Sequence, residues 1–197
     1  NDVFSEVNLG LLGLYASSID WGDYDNDGDL DILINGVDQT YNRHAILYKN
    51  NSGIFSDIPN PFPGTYYGEV CWGDYDADGD LDLLIAGLDA GELGVTILYK
   101  NEGNDTFTAV TGLGIPGTYV GDFTWGDYDA DGDLDILIQG YTDSGEITAL
   151  FENLGGDIFS DSGLNFTVYT DGAVNFVDFN NDGLLDIFMA GYDGEAY

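Results

Sequence analysis

The chain of 197 residues is poor in positive charge, with three Lys or Arg against 37 Asp or Glu and a formal net charge of −34. That balance argues against nucleic acid and anionic membrane surfaces as partners and leaves a cationic partner open. Cys71 is the only cysteine, so no internal disulfide can form. As His44 is the only histidine and lies in another segment, Cys71 reads as a packed thiol rather than a nucleophile. No apolar run approaches the length of a membrane span, so membrane insertion is not expected. Proline is confined to Pro59, Pro61, Pro63 and Pro116, which read as connections between units. No leader pattern opens the chain, so any export signal is expected to lie outside this segment or to have been removed.

What the chain does have is one acidic stretch four times over. Asp23-Tyr-Asp-Asn-Asp-Gly-Asp-Leu-Asp31 returns at Asp74 to Asp82, Asp127 to Asp135 and Asp178 to Asp186, at spacings of 51, 53 and 51 residues. Oxygen-bearing side chains stand at positions one, three, five and nine, with Gly28, Gly79, Gly132 and Gly183 at position six. This pattern suits a hard cation that takes several oxygens in a tight turn, and the expected cofactor is calcium at about four structural sites. Solvated acidic turns are the bland alternative, but four copies with the ligand positions filled each time favour metal. The expected ligands are Asp23, Asp25, Asp27, Asp29 and Asp31; Asp74, Asp76, Asp78, Asp80 and Asp82; Asp127, Asp129, Asp131, Asp133 and Asp135; and Asp178, Asn180, Asp182, Leu184 and Asp186. Position seven enters through its carbonyl oxygen. The fourth site, with Asn180 and Leu184, should bind more weakly. An EF-hand would need an acid at position twelve, where Ile34, Ile85, Ile138 and Met189 stand. These loops hold 18 of the 37 acids, and four calcium ions would bring the formal charge to −26. A saline habitat is a further reading of the remaining acidity.

Short apolar runs flank every loop, so each loop reads as the turn of a β-hairpin. Ala45-Ile-Leu-Tyr-Lys-Asn50, Thr96-Ile-Leu-Tyr-Lys-Asn101 and Thr148-Ala-Leu-Phe-Glu-Asn153 read as third strands, and segments around Phe55, Phe107 and Phe159 as fourth strands. A period near fifty residues implies an array or a propeller. The spacing D-x-D-x-D-G-x-x-D between two strands resembles the FG-GAP and VCBS repeats of integrin α-subunit-like β-propellers, over essentially the whole chain. The Phe-Gly and Gly-Ala-Pro signatures are not intact: Trp-Gly precedes three loops and Phe176-Val177 the fourth. The expected fold is all-β, a single propeller domain or segment over residues 1–197, with about four four-stranded blades. Phe4 is placed on an outer strand, and the last blade, short of its third strand, is expected to be completed by a longer parent chain or by self-association.

Trp21, Trp72, Trp125 and Phe176 are expected to pack between blades, and Tyr15, Tyr66 and Tyr119 to serve the scaffold. Loops between second and third strands vary on this repeated frame, which is where recognition usually sits. The resemblance implies an extracellular or cell-surface adhesion or protein-interaction module, with ligand met on the face opposite the metal turns. The ligand surface it points to is Tyr41, Arg43, His44, Phe62 and Tyr67. Millimolar calcium outside cells fits that location. The alternative is a lectin-like propeller that binds glycans. An enzyme acting on polysaccharides is a third class, but its base and cation would have to come from Arg43, His44, Lys49 and Lys100, so the chain is read as non-enzymatic.

Overall fold

Apolar runs of four to nine residues on either side of a tight acidic turn have no partner for their backbone groups except each other. They pair. The structure, a computed structural model, describes residues 4–192, and every regular element among them is a strand. The first unit is an antiparallel meander of β1 (Tyr15–Gly22), β2 (Asp31–Val37), β3 (Arg43–Asn51) and β4 (Ile54–Ile58). The second unit repeats the order with β5 (Val70–Gly73), β6 (Asp82–Leu88), β7 (Gly94–Asn101) and β8 (Phe107–Ala109). β9 (Thr118–Gly126), β10 (Asp135–Thr142), β11 (Gly145–Asn153) and β12 (Phe159–Asp161) make the third. The described part of the fourth is the hairpin of β13 (Thr170–Val177) and β14 (Asp186–Tyr192). A single residue pair, Val95 with Thr118, links the second and third sheets.

Register is the same in all four hairpins. The ninth-position aspartates Asp31, Asp82, Asp135 and Asp186 face Gly22, Gly73, Gly126 and Val177 across the ladder. The strand after each of the first three loops is buried nearly throughout, which matches its continuous apolar run. Burial on both faces follows because each sheet packs against the one before and the one after. One core joins Leu33 and Leu47 to Trp72, Leu83 and Phe107, and the next joins Leu84 and Leu98 to Phe123, Ile136 and Phe159. A third joins Leu137 and Leu150 to Val174, Phe176 and Met189.

A glycine makes each of these sheet-to-sheet contacts close. A Cβ at Gly22 would lie 2.8 Å from Trp72, at Gly73 2.7 Å from Trp125, and at Gly126 2.4 Å from Phe176. The aromatic series therefore packs between units, as the sequence suggests. Trp21, with no unit against its outer side among the described residues, stays half exposed.

The starts of the four units meet at one place. Ala16, Tyr67, Val120 and Asp171 occupy equivalent positions, all with positive φ between 45° and 51°. Tyr67 N–H donates to Ala16 O at 3.1 Å and Val120 N–H to Tyr67 O at 2.6 Å. A hollow of about 280 Å³ is lined by these four residues and their neighbours Ser17, Gly68, Gly121 and Gly172.

Phe4 corrects the expectation of an outer strand. It is 99% exposed and residues 4–14 carry no strand, since among the described residues no strand lies beside them to complete a ladder. The segment beyond Tyr192 that would pair with it lies outside the described residues.

Candidate metal centres and a tyrosine-lined cleft

Each acidic loop is coiled by its own side chains. Asp23 accepts from the N–H groups of Asp27 and Gly28 at 2.9 and 3.0 Å, and Asp74, Asp127 and Asp178 repeat the pair of bonds in their loops. Position five then accepts from position seven, as Asp27 does from Asp29 N–H at 2.9 Å. Two left-handed residues close the coil. Glycine at position six is one, and Asn26, Ala77, Ala130 and Asn181 at position four, with φ of 55° to 61°, are the other. The alanines gave no sequence signal for that conformation.

The ninth-position aspartate anchors the coil to the sheet. Asp31, Asp82 and Asp135 are at most 1% exposed. Each accepts from position two and from an asparagine on the third strand, as Asp82 does from Tyr75 N–H at 3.2 Å and Asn101 N–H at 2.8 Å. Burial pushes Asp31 and Asp135 up to about 6 and Asp82 up to about 7, against the lowering effect of these N–H groups.

Carboxylates converge in three of the loops. Asp23, Asp25 and Asp27 bring ligand oxygens within 4.8 Å of one another, as do Asp74, Asp76 and Asp78, and Asp127, Asp129 and Asp135. The donors fit a hard divalent cation: all are oxygens, and Asp25 Oδ1 is enclosed without a hydrogen-bond partner. Any ion held there would neutralise crowded carboxylates and keep the buried aspartates charged. The fourth loop keeps the same coil but carries Asn180 within it and a 60% exposed Leu184.

A family model describing the FG-GAP-like repeat matches residues 23–85 and 74–138, more than half of the chain. The chain belongs to the FG-GAP-like repeat family. Each match runs from one acidic loop into the strand that follows the next, so it takes in two of the acidic loops. A search of curated proteins gives no match.

At the opposite end of the strands from its acidic loops, this FG-GAP-like repeat chain has a cleft of about 370 Å³ between the first and second units. Tyr15, Val37, Tyr41, Arg43, Tyr66, Tyr67 and Glu92 line it. Tyr66 and Tyr67 rings are 4.7 Å apart, Tyr15 and Tyr41 meet edge to face at 6.1 Å, and the Arg43 guanidinium lies 4.7 Å over Tyr66. Glu92 pairs with Arg43 and accepts from the Tyr66 hydroxyl at 2.9 Å. Three of the five residues expected at a ligand surface thus come together. Phe62 does not: it is 8% exposed, packed edge-on against Tyr99 and Phe107 with centroids 5.0 and 5.1 Å away, because the proline-bounded connection folds it into the core. His44 also points elsewhere, its Nε2 3.0 Å from Asp38 Oδ2 within its own hairpin. Glu92 and the scaffold-assigned Tyr15 and Tyr66 join the cleft. Their signal was adjacency across units, which spacing within one repeat does not show.

Proposed function

We propose that the units are blades of a calcium-stabilised β-propeller that works outside the cell as an adhesion or protein-interaction module. The observation that supports the propeller is the meeting of four equivalent residues around one hollow, Ala16, Val120 and Asp171 on β1, β9 and β13 and Tyr67 just before β5, as blades converge on an axis. Calcium is the cation the loops suit best, with Asp23, Asp25 and Asp27 and their counterparts as side-chain ligands and the carbonyls of Asp29, Asp80, Asp133 and Leu184 completing the shell. Recognition falls to the tyrosine-lined cleft, since a varied loop on a rigid frame supplies Tyr41 and Arg43 while the neighbouring unit supplies Tyr67. We read the chain as non-enzymatic: His44 is tied to Asp38, and burial pushes Cys71 up to about 12.

A second reading, glycan binding, is favoured by the same cleft. Tyrosine faces suit the C–H face of a pyranose, and Arg43 with Glu92 offers a donor and an acceptor for hydroxyls. Substituting Tyr41, Arg43 and Tyr67 by alanine should abolish partner binding with the far-ultraviolet spectrum unchanged; binding that persists would remove the cleft from the account. A glycan array probed with and without calcium distinguishes the two ligand classes, and silence across the array counts against the sugar.

A further inference from the structure

Beside the three loops with converging carboxylates, one third-strand position changes the sign of its charge. Lys49, Lys100 and Glu152 share a register, opposite Ser56, Thr108 and Ser160. Each precedes the asparagine whose N–H bonds the ninth-position aspartate. Lys49 pairs with Asp25 in the first loop, and its ammonium also lies 3.3 Å from Asp105 in the second unit. Lys100 pairs with Asp76 and stands 3.2 Å from Asp78, so it joins positions three and five of the second loop. These are both of the chain's lysines. The third loop has the Glu152 carboxylate at this register, and among the described residues no ion pair reaches its five aspartates.

We propose that Lys49 and Lys100 are built-in counterions that a divalent cation has to displace, so that the third loop fills first and the first two fill only at higher calcium. The inference rests on the calcium reading of the loops. An ammonium between ligand carboxylates repels an incoming dication and neutralises part of the charge that would attract it. A flexible four-carbon stem lets that ammonium swing aside when the ion enters, at the cost of its ion pairs. The penalty is larger in the second loop, where both partners of the ammonium are ligands, than in the first, where Asp105 remains to hold it. Glu152 reverses the effect by adding negative charge beside an already acidic loop. In the absence of calcium the two lysines hold the first two turns, while the third has no such support. Response to calcium therefore comes in two steps.

The test is a calcium titration of the full chain carrying isotope-labelled glycine, followed through the separate amide resonances of Gly28, Gly79 and Gly132, one in each loop. Gly132 is expected to shift at the lowest calcium. Lys100→Met should lower the Gly79 midpoint by about tenfold, Lys49→Met should lower the Gly28 midpoint by less, and Glu152→Lys should raise the Gly132 midpoint by about tenfold. Each substitution keeps a long stem, and dispersed glycine spectra show that the fold is retained. Coincident midpoints that none of the three substitutions moves would overturn the inference and leave calcium binding intact. Glycines that do not respond to calcium at all would remove the calcium reading, and the inference with it.

Discussion

Glu69 sits where a charge is costly. Burial, with Asp122 and Asp20 nearby, pushes it up to about 7 despite the Ser18 hydroxyl that donates to it at 2.6 Å. Its folded value lies above the ordinary 4.5, so the folded chain holds this proton more tightly than the unfolded one. Stability from this group is present below about 4.5 and lost as pH rises through about 7. Glu69→Gln should therefore be more stable to urea than the parent at pH 8 by roughly 1–2 kcal/mol, discounted for partial exposure, and match it near pH 4.5. A difference that does not change with pH would contradict the assignment. Residues of this scale were only partly legible. The ligand aspartates show in the sequence because spacing reports a coil, whereas the burial of Phe62 depends on a core shared between units, and Glu92 enters the cleft from the neighbouring hairpin.

At the scale of elements, two devices lock one unit to the next. The first is the close approach of a tryptophan to a glycine. Gly73→Ala would put a methyl 2.7 Å from Trp125, and the forced shift should cost about 1–3 kcal/mol in urea unfolding. Gly13, with nothing within 4 Å of an added Cβ, is the control and should tolerate alanine. Equal behaviour of the two would sink the packing argument. The second device is the third-strand asparagine. Asn101 Nδ2 donates to Tyr24 O of the preceding loop at 2.8 Å and to Leu81 O at 3.1 Å, and its Oδ1 accepts from Gly103 N–H. Among the described residues the Asn50 side chain bonds only within its own unit, to Leu30 O and Gly53 N–H. Asn101→Ala should thus cost about 3 kcal/mol and Asn50→Ala about 1 kcal/mol, by chemical denaturation. Sequence marks these asparagines as turn residues, since local bonding is what asparagine at a strand end usually does. The bond across units needs the two sheets in place before it exists. The strands themselves were legible from their apolar runs and the loops between them.

For the whole molecule, the repeat period showed how many hairpins there are, and the fixed register followed from the acidic turn that each shares. The strand expected at Phe4 was not legible in the same way: its pattern matches Phe55 and Phe159, but a strand forms only where a neighbour can pair with it. We propose that calcium in the acidic loops holds the hairpins of these sheets together, by neutralising carboxylates that repel one another when empty. At calcium a hundred times the dissociation constant each filled site adds about 2.7 kcal/mol, worth roughly 5–10 °C in a chain of this size. The most direct measurement is thermal unfolding with chelator, with magnesium and with calcium. The account predicts a low Tm in chelator, a rise with calcium larger than one site would give, and a smaller rise with magnesium, whose octahedral shell these loops suit less well. A Tm that is the same in all three solutions would contradict it.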